Sequence, residues 1–209
     1  MNQRYFNYNL KPQLKIEDYF VSSSNMESYN ILIKNYKSNN IFLYGPKKSG
    51  KTHLGLIWKD QYKAIIFNNN LETILNNKKN IFIDNIFQNI IEEDIFHIIN
   101  HCYSYNLNLL VTSNIFLNDY KFKLEDLSSR LKTFINIKID LPDDNLLVNL
   151  MIKLFNDKQI IIKNPELFNY ILKRVNRSYE KIFLLVEKID NLSLEKKKQL
   201  TIPLIKNLM

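Results

Sequence analysis

The stretch Ile41-Phe42-Leu43-Tyr44-Gly45-Pro46-Lys47-Lys48-Ser49-Gly50-Lys51-Thr52-His53-Leu54 decides how this chain is read. Four apolar or aromatic residues of strand length run into a full G-x-x-x-x-G-K-[ST] match, Gly45 to Thr52, and a helical stretch over 54–58 follows directly. Gly45 and Gly50 let the backbone curl so that successive N–H groups face phosphate oxygens, assisted by the positive end of the following helix. Lys51 is expected to reach the β- and γ-phosphates and Thr52 to offer its hydroxyl to Mg²⁺. Pro46, Lys47, Lys48, Ser49 and His53 complete the loop and its exit.

Outward from that motif, further runs of strand length stand at 64–67, 81–83, 109–111 and 134–139, separated by helical stretches. Parallel sheets covered on both faces read in this way, so an α/β core with a five-stranded parallel sheet is expected. The run at 81–83 ends in Asp84-Asn85, and Asp84 lies at the right distance past the loop to hold a Mg²⁺ shell. Many hydrolytic sites carry a carboxylate where this chain has Asn85. An amide cannot accept the proton of an attacking water, so weak hydrolysis or none is expected of the chain itself.

After Leu141-Pro142-Asp143 the strand signal stops and apolar residues recur at helical spacing. Leu146, Leu147, Leu150, Met151 and Leu154 mark one helix. Leu167, Tyr170, Ile171 and Arg174 mark a second, started by Pro165, and Ile182, Leu185, Val186 and Ile189 mark a third. Ser193-Leu194-Glu195 and Thr201-Ile202-Pro203 read as two more helix starts. The expected organisation is a flexible segment over 1–12, an α/β base over 13–142 and a small helical domain over 143–209.

Composition narrows the class. Lys and Arg outnumber Asp and Glu by 29 to 21, giving +8, which favours nucleic acid or acidic surfaces. The charges are spread along the chain, and Lys196-Lys197-Lys198 reads as a solvated helix face. Asn68-Asn69-Asn70 and Asn76-Asn77 read as compositional bias in loops. A lone Cys102 excludes an intramolecular disulfide. No run approaches the roughly 18 apolar residues of a membrane helix, so a soluble cytoplasmic protein with no membrane partner is expected. His97 and His101 stand one helical turn apart beside Cys102, but Ile98 rather than Glu follows His97, and they read as ordinary helix residues. Trp58 and the other aromatics read as core rather than as stacking platforms.

The chain resembles the AAA+ family of DnaA, and more closely the short Hda-like homologues, over nearly its whole length. The resemblance is carried by Phe20-Val21 with Asn25, Ile83-Asp84-Asn85-Ile86, Val111-Thr112-Ser113-Asn114, Asp126-Leu127-Ser128-Ser129-Arg130-Leu131 and the ending Gln199-Leu200-Thr201-Ile202-Pro203-Leu204-Ile205-Lys206. It implies ADP or ATP with Mg²⁺ as ligand and an adenine pocket formed by Phe20, Val21 and Asn25. Asn114 falls at the first sensor, where Asp is usual in this branch, and it also suits a strand-end turn. Arg130 falls at the arginine finger, a cation acting on a neighbour's nucleotide. At the second sensor the family's Arg is replaced by Glu180. Either Arg177 or Lys181 substitutes for it, or the lid does not engage the nucleotide. Gln3, Tyr5 and Phe6 match, in degenerate form, a peptide that docks on the sliding clamp of DNA polymerase, the bland reading being a flexible terminus.

The function implied is regulation of replication initiation, in which the chain promotes hydrolysis of ATP bound to DnaA together with the DNA-loaded clamp. Homodimer formation and direct DNA contact stay open. A helicase loader or DnaA-like replication factor is one rival; an initiator of the DnaA kind is expected to continue into a helix-turn-helix domain. A pseudo-ATPase adaptor is the other.

Overall fold

The computed structural model describes residues 14–34, 40–88, 90–160, 162, 164–196 and 205–206. Gln3, Tyr5, Phe6, the Lys197-Lys198 part of the Lys run and the helix start at Thr201-Ile202-Pro203 lie outside the described residues.

Five parallel strands form one sheet in the order β2-β3-β4-β1-β5: β1 (Ile41–Tyr44), β2 (Ile65–Ile66), β3 (Ile81–Ile83), β4 (Leu109–Ser113) and β5 (Ile135–Lys138). β1 pairs with β4 from Ile41↔Leu110 to Tyr44↔Ser113 and with β5 from Ile41↔Ile135 to Tyr44↔Lys138. The helices that follow are α1 (Met26–Tyr29), continued by a π turn (Asn30–Lys34), α2 (Lys51–Gln61), α3 (Leu71–Leu75), α4 (Glu92–Tyr105) and α5 (Glu125–Leu131).

Side chains on a strand alternate between faces, and each face of this sheet therefore builds its own core. Phe42, Ile81, Ile83, Leu109 and Val111 point to α4 and α5, among Ile95, Ile98, Ile99 and Leu127. Ile41, Leu43, Phe82 and Leu110 point the other way, onto Leu54, Ile57 and Trp58 of α2. β5 is an edge strand, and its exposed Asn136 and Lys138 suit an edge that must not recruit another strand.

Three further helices form the lid: α6 (Asp144–Asp157), α7 (Glu166–Leu172) and α8 (Tyr179–Lys196). Asp143 caps α6 by accepting from the Leu146 N–H at 2.7 Å, and its carboxylate also accepts from the Ser23 hydroxyl of the base at 2.7 Å. Burial works against ionisation here, but the Leu146 N–H and the Ser23 hydroxyl hold the Asp143 carboxyl below the usual carboxylate range. Leu147, Met151, Phe155, Leu167, Ile171, Ile182, Val186 and Ile189 close a separate core, into which Ile205 also packs.

Two sequence expectations change. Ser193-Leu194-Glu195 starts no helix, because α8 runs through it to Lys196 and leaves no non-helical residue there to act as a cap. The asparagines are more than compositional bias. Asn70 caps α3 by accepting from the Thr73 N–H, and Asn69, Asn85 and Asn106 hold left-handed backbone with φ of 56°, 53° and 52°. In a chain with 3 glycines, Asn takes over turns that Gly commonly fills.

Candidate nucleotide site

The loop after β1 emerges where the carboxyl ends of β1, β3 and β4 meet, which is where open parallel sheets bind ligands. Gly45 is held to the sheet by its N–H, which donates to Ser113 O at 3.2 Å. A Cβ there would stand 2.6 Å from the Ile139 carbonyl oxygen, so only glycine fits. Gly50, at φ 91°, turns the loop into α2 and leaves the first N–H groups of that helix facing the cleft.

Lys51 is buried, and its ammonium donates to the carbonyls of Gly45 at 2.9 Å and Pro46 at 2.6 Å. Burial lowers its pKa from the ordinary 10.5 to about 8, against the opposing pull of the Asp84 charge. The Thr52 hydroxyl donates to one oxygen of Asp84 at 2.8 Å, and the Thr112 hydroxyl donates to the other at 2.6 Å. Thr112 in turn accepts from the Asn85 N–H at 2.8 Å, fixing the turn that carries Asp84 and Asn85. The side-chain amide of Asn85 donates to Gln88, and its oxygen accepts from Asn114 at 3.2 Å. The hard oxygens of Thr52 and Asp84 suit Mg²⁺, which binds few protein ligands and completes its shell with phosphate and water.

Around these groups lies a cleft of about 620 Å³ between base and lid, bordered by Lys47, Lys48, Ser49, Gly50, Lys51, Thr52, His53, Asp84, Asn85, Thr112 and Asn114. Phe20 and Asn25 border it too. Asn25 is 3% exposed, donates to Phe20 O and accepts from the Ser22 N–H, so it shapes the segment that presents Phe20. His53 is held by Lys15 O at 2.7 Å and by the edge of Tyr19; burial lowers its pKa, which favours a neutral ring.

Three expected site residues lie elsewhere. Val21 borders a separate depression with Asp143 and Asp144. Arg177 pairs in bidentate fashion with Asp144, at 2.7 and 2.9 Å, outside the cleft. Lys181 is exposed and, like Glu180, does not border the cleft. Among the lid side chains that do face it are Lys153 and Asp157 on α6 and Tyr179 and Phe183 on α8, with Lys48 Nζ 5.2 Å from the Phe183 ring. Leu146, Leu150 and Leu154 line it as well, while Leu147, Met151 and Phe155 fill the lid core. The sequence carried a trace of this second role: the apolar arc of α6 is wider than one core face needs.

Arg130 is outside the cleft. It sits at the end of α5, and its guanidinium lies 4.9 Å from the centre of the Phe96 ring and 5.8 Å from that of Tyr103. Glu92, buried at the start of α4, accepts from Lys123 N at 3.0 Å, Leu124 N at 2.8 Å and the Tyr120 hydroxyl at 3.3 Å, which anchors the segment entering α5. His101 Nε2 is paired with Asn77 O, and among the described residues no cluster of three metal-ligating side chains occurs.

The helical part matches the model of the Hda lid domain over residues 156–209. The fold is that of DnaA domain III, and the helical part is similar to the Hda lid domain. Along 99% of its length the chain is 23% identical to the chromosomal replication initiator protein DnaA of Buchnera aphidicola subsp. Cinara cedri (strain Cc), and it spans only 55% of that relative. Domain III of the Thermotoga maritima replication initiation protein DnaA superposes with TM-score 0.78 at 17% identity, covering 96% of this chain and 97% of that one. AMPPCP-bound DnaA from Aquifex aeolicus superposes with TM-score 0.68 at 19% identity, covering 90% and 69%. Among the described residues no helix is long and apolar enough to cross a membrane.

Proposed function

We propose that this chain is an Hda-like regulator of replication initiation: it binds ADP or ATP with Mg²⁺ in the base–lid cleft and uses Arg130 to promote hydrolysis of ATP held by DnaA. The loop N–H groups and Lys51 would bind the phosphates, and Thr52 and Asp84 would hold the Mg²⁺, which neutralises phosphate charge. Phe20 with Leu150 and Leu154 would cover the base. Inside this cleft Asp84 is engaged by two threonine hydroxyls, and Asn85 offers no carboxylate to activate water. The cation suited to phosphoryl transfer, Arg130, borders a separate depression outside this cleft. That separation carries the proposal, because it directs the catalytic cation toward a second molecule. The sliding clamp loaded on DNA would be engaged by the segment containing Gln3, Tyr5 and Phe6.

The test is turnover of DnaA-bound ATP in the presence of DNA-loaded clamp, comparing the intact protein with an Arg130→Ala variant of unchanged melting temperature. Acceleration by the first and not by the second supports the proposal; equal rates overturn it.

A second reading, an adaptor that binds no nucleotide, is favoured by the Asn85–Asn114 amide pair and by the position of Glu180, Arg177 and Lys181 outside the cleft. Saturating ADP with Mg²⁺ discriminates. A ligand at a hundred times its Kd adds about 2.7 kcal/mol, which raises the melting temperature by roughly 5–10 °C at this chain length, whereas an adaptor shows no shift.

A further inference from the structure

We infer that Tyr103 is a positioning residue for Arg130, holding the guanidinium over the ring faces of α4, from where it meets a partner's phosphates. The inference rests on the trans-acting reading of Arg130 given above.

Phe96 and Tyr103 stand seven residues apart on α4, two turns along one face, and Arg130 of α5 lies across both rings at 4.9 and 5.8 Å. The guanidinium makes no salt bridge among the described residues. Its charge is met by ring faces, which attract a cation without using the N–H fork that would bind phosphate oxygens. Asp126, one turn earlier on α5, shares the same surface depression yet lies beyond ion-pair distance of it.

Tyr103 is 51% exposed, so core burial does not explain a tyrosine here. Its hydroxyl is tied down by a directional relay. The single hydroxyl proton of Thr133 goes to Arg130 O at 2.7 Å, so in the 3.2 Å contact between Tyr103 and Thr133 the donor is Tyr103. One ring therefore contacts the Arg130 side chain through its face and reaches the Arg130 backbone through Thr133. A free arginine side chain surrenders considerable rotamer freedom when it is fixed on the phosphates in the transition state, after the partners have docked, and a chain already laid out on two rings surrenders less.

The test uses the full chain with Tyr103→Leu, which removes ring and hydroxyl, and Tyr103→Phe, which keeps the ring. Two readouts are taken: the ring-current shift of the Arg130 Nε–H resonance, and the acceleration of DnaA-bound ATP turnover with DNA-loaded clamp as a function of regulator concentration. The expected result is loss of most of the shift in Tyr103→Leu and its retention in Tyr103→Phe. Maximal acceleration should fall about five-fold in the Leu variant at an unchanged half-saturating concentration, with the Phe variant recovering most of it. A loss of docking alone would move the half-saturating concentration instead and would overturn the inference. So would an Arg130 resonance indifferent to Tyr103→Leu, or full acceleration by that variant where Arg130→Ala gives none. If the intact protein and Arg130→Ala behave alike, the trans-acting reading is overturned and this inference with it, an outcome recognised from the Arg130→Ala rate set beside that of the intact protein.

Discussion

The side-chain amide of Asn114 donates to the side-chain oxygen of Asn85 across 3.2 Å, joining the ends of β4 and β3 at the floor of the cleft. Two uncharged amides thus border the cleft beside Asp84, and neither can accept a proton from water. Asn85→Asp puts an acceptor there and keeps Asn114 as a donor to it. The expected outcome is a rise of about ten-fold or more in the chain's own ATP turnover, measured without any partner, with nucleotide affinity little changed. A variant as slow as the parent would place the defect elsewhere in the cleft.

Lys51 supplies a pH signature. Burial holds its pKa at about 8 in the free protein, so above that pH the amine is mostly neutral. Bound phosphate favours the ammonium and raises the pKa, so binding at pH 8.5 should take up about three-quarters of a proton. Affinity for ADP is therefore expected to be flat below about pH 8 and to fall above it by up to about ten-fold per unit. Calorimetry in buffers of different ionisation enthalpy measures the proton uptake directly. Lys51→Ala should abolish both the uptake and the thermal shift caused by ADP with Mg²⁺.

The base was legible where local chemistry decides. The loop from Gly45 to Thr52 and the acid at Asp84 follow from motif and spacing, and the five strands follow from short apolar runs. Legibility failed where the phase of a helix decides. On α8, Tyr179 and Phe183 are four residues apart and share the face toward the cleft, whereas Glu180 and Lys181 are turned from it by about 100° and 200°. That phase is set by how the chain leaves α7, which no residue pattern near Glu180 discloses. Arg177 is claimed by Asp144, 33 residues earlier, a pairing only the folded lid creates. Thr112 and Lys153 escaped for a related reason: a threonine in a buried strand and a lysine on an amphipathic helix are unremarkable until the sheet and lid bring them to the cleft.

Gly55 tests how closely α2 must approach the sheet. It lies inside α2 directly over β3, and a Cβ there would stand 2.2 Å from the end of the Phe82 ring. Gly normally weakens a helix interior, so Gly55→Ala would be stabilising if the space were open. Here the added methyl must displace a fully buried ring or lift α2 and its phosphate loop. The expected cost is about 2–3 kcal/mol in denaturant unfolding, accompanied by weaker nucleotide binding. Pairing the change with Phe82→Leu should return part of the stability, because the clash is with that ring.

Glu92 ties the nucleotide-side segment to the helix that carries Arg130. The carboxylate is 7% exposed and accepts from two successive backbone N–H groups, Lys123 and Leu124, while Tyr120, whose hydroxyl it also accepts, stacks on Phe87 at 3.9 Å just past Asp84-Asn85-Ile86. Glu92→Gln keeps the shape, and its one oxygen can still accept from both backbone N–H groups at the Oε2 place, but the charge that strengthens those bonds is lost and an NH₂ group faces the Tyr120 hydroxyl and the Lys123 N–H. A loss of about 1–3 kcal/mol is expected. Because the released segment leads into α5, hydrogen exchange should rise first at Lys123 and Leu124 and then along Glu125–Leu131, with α6 to α8 unaffected. Exchange that rises uniformly over the whole chain would instead assign Glu92 to global stability alone.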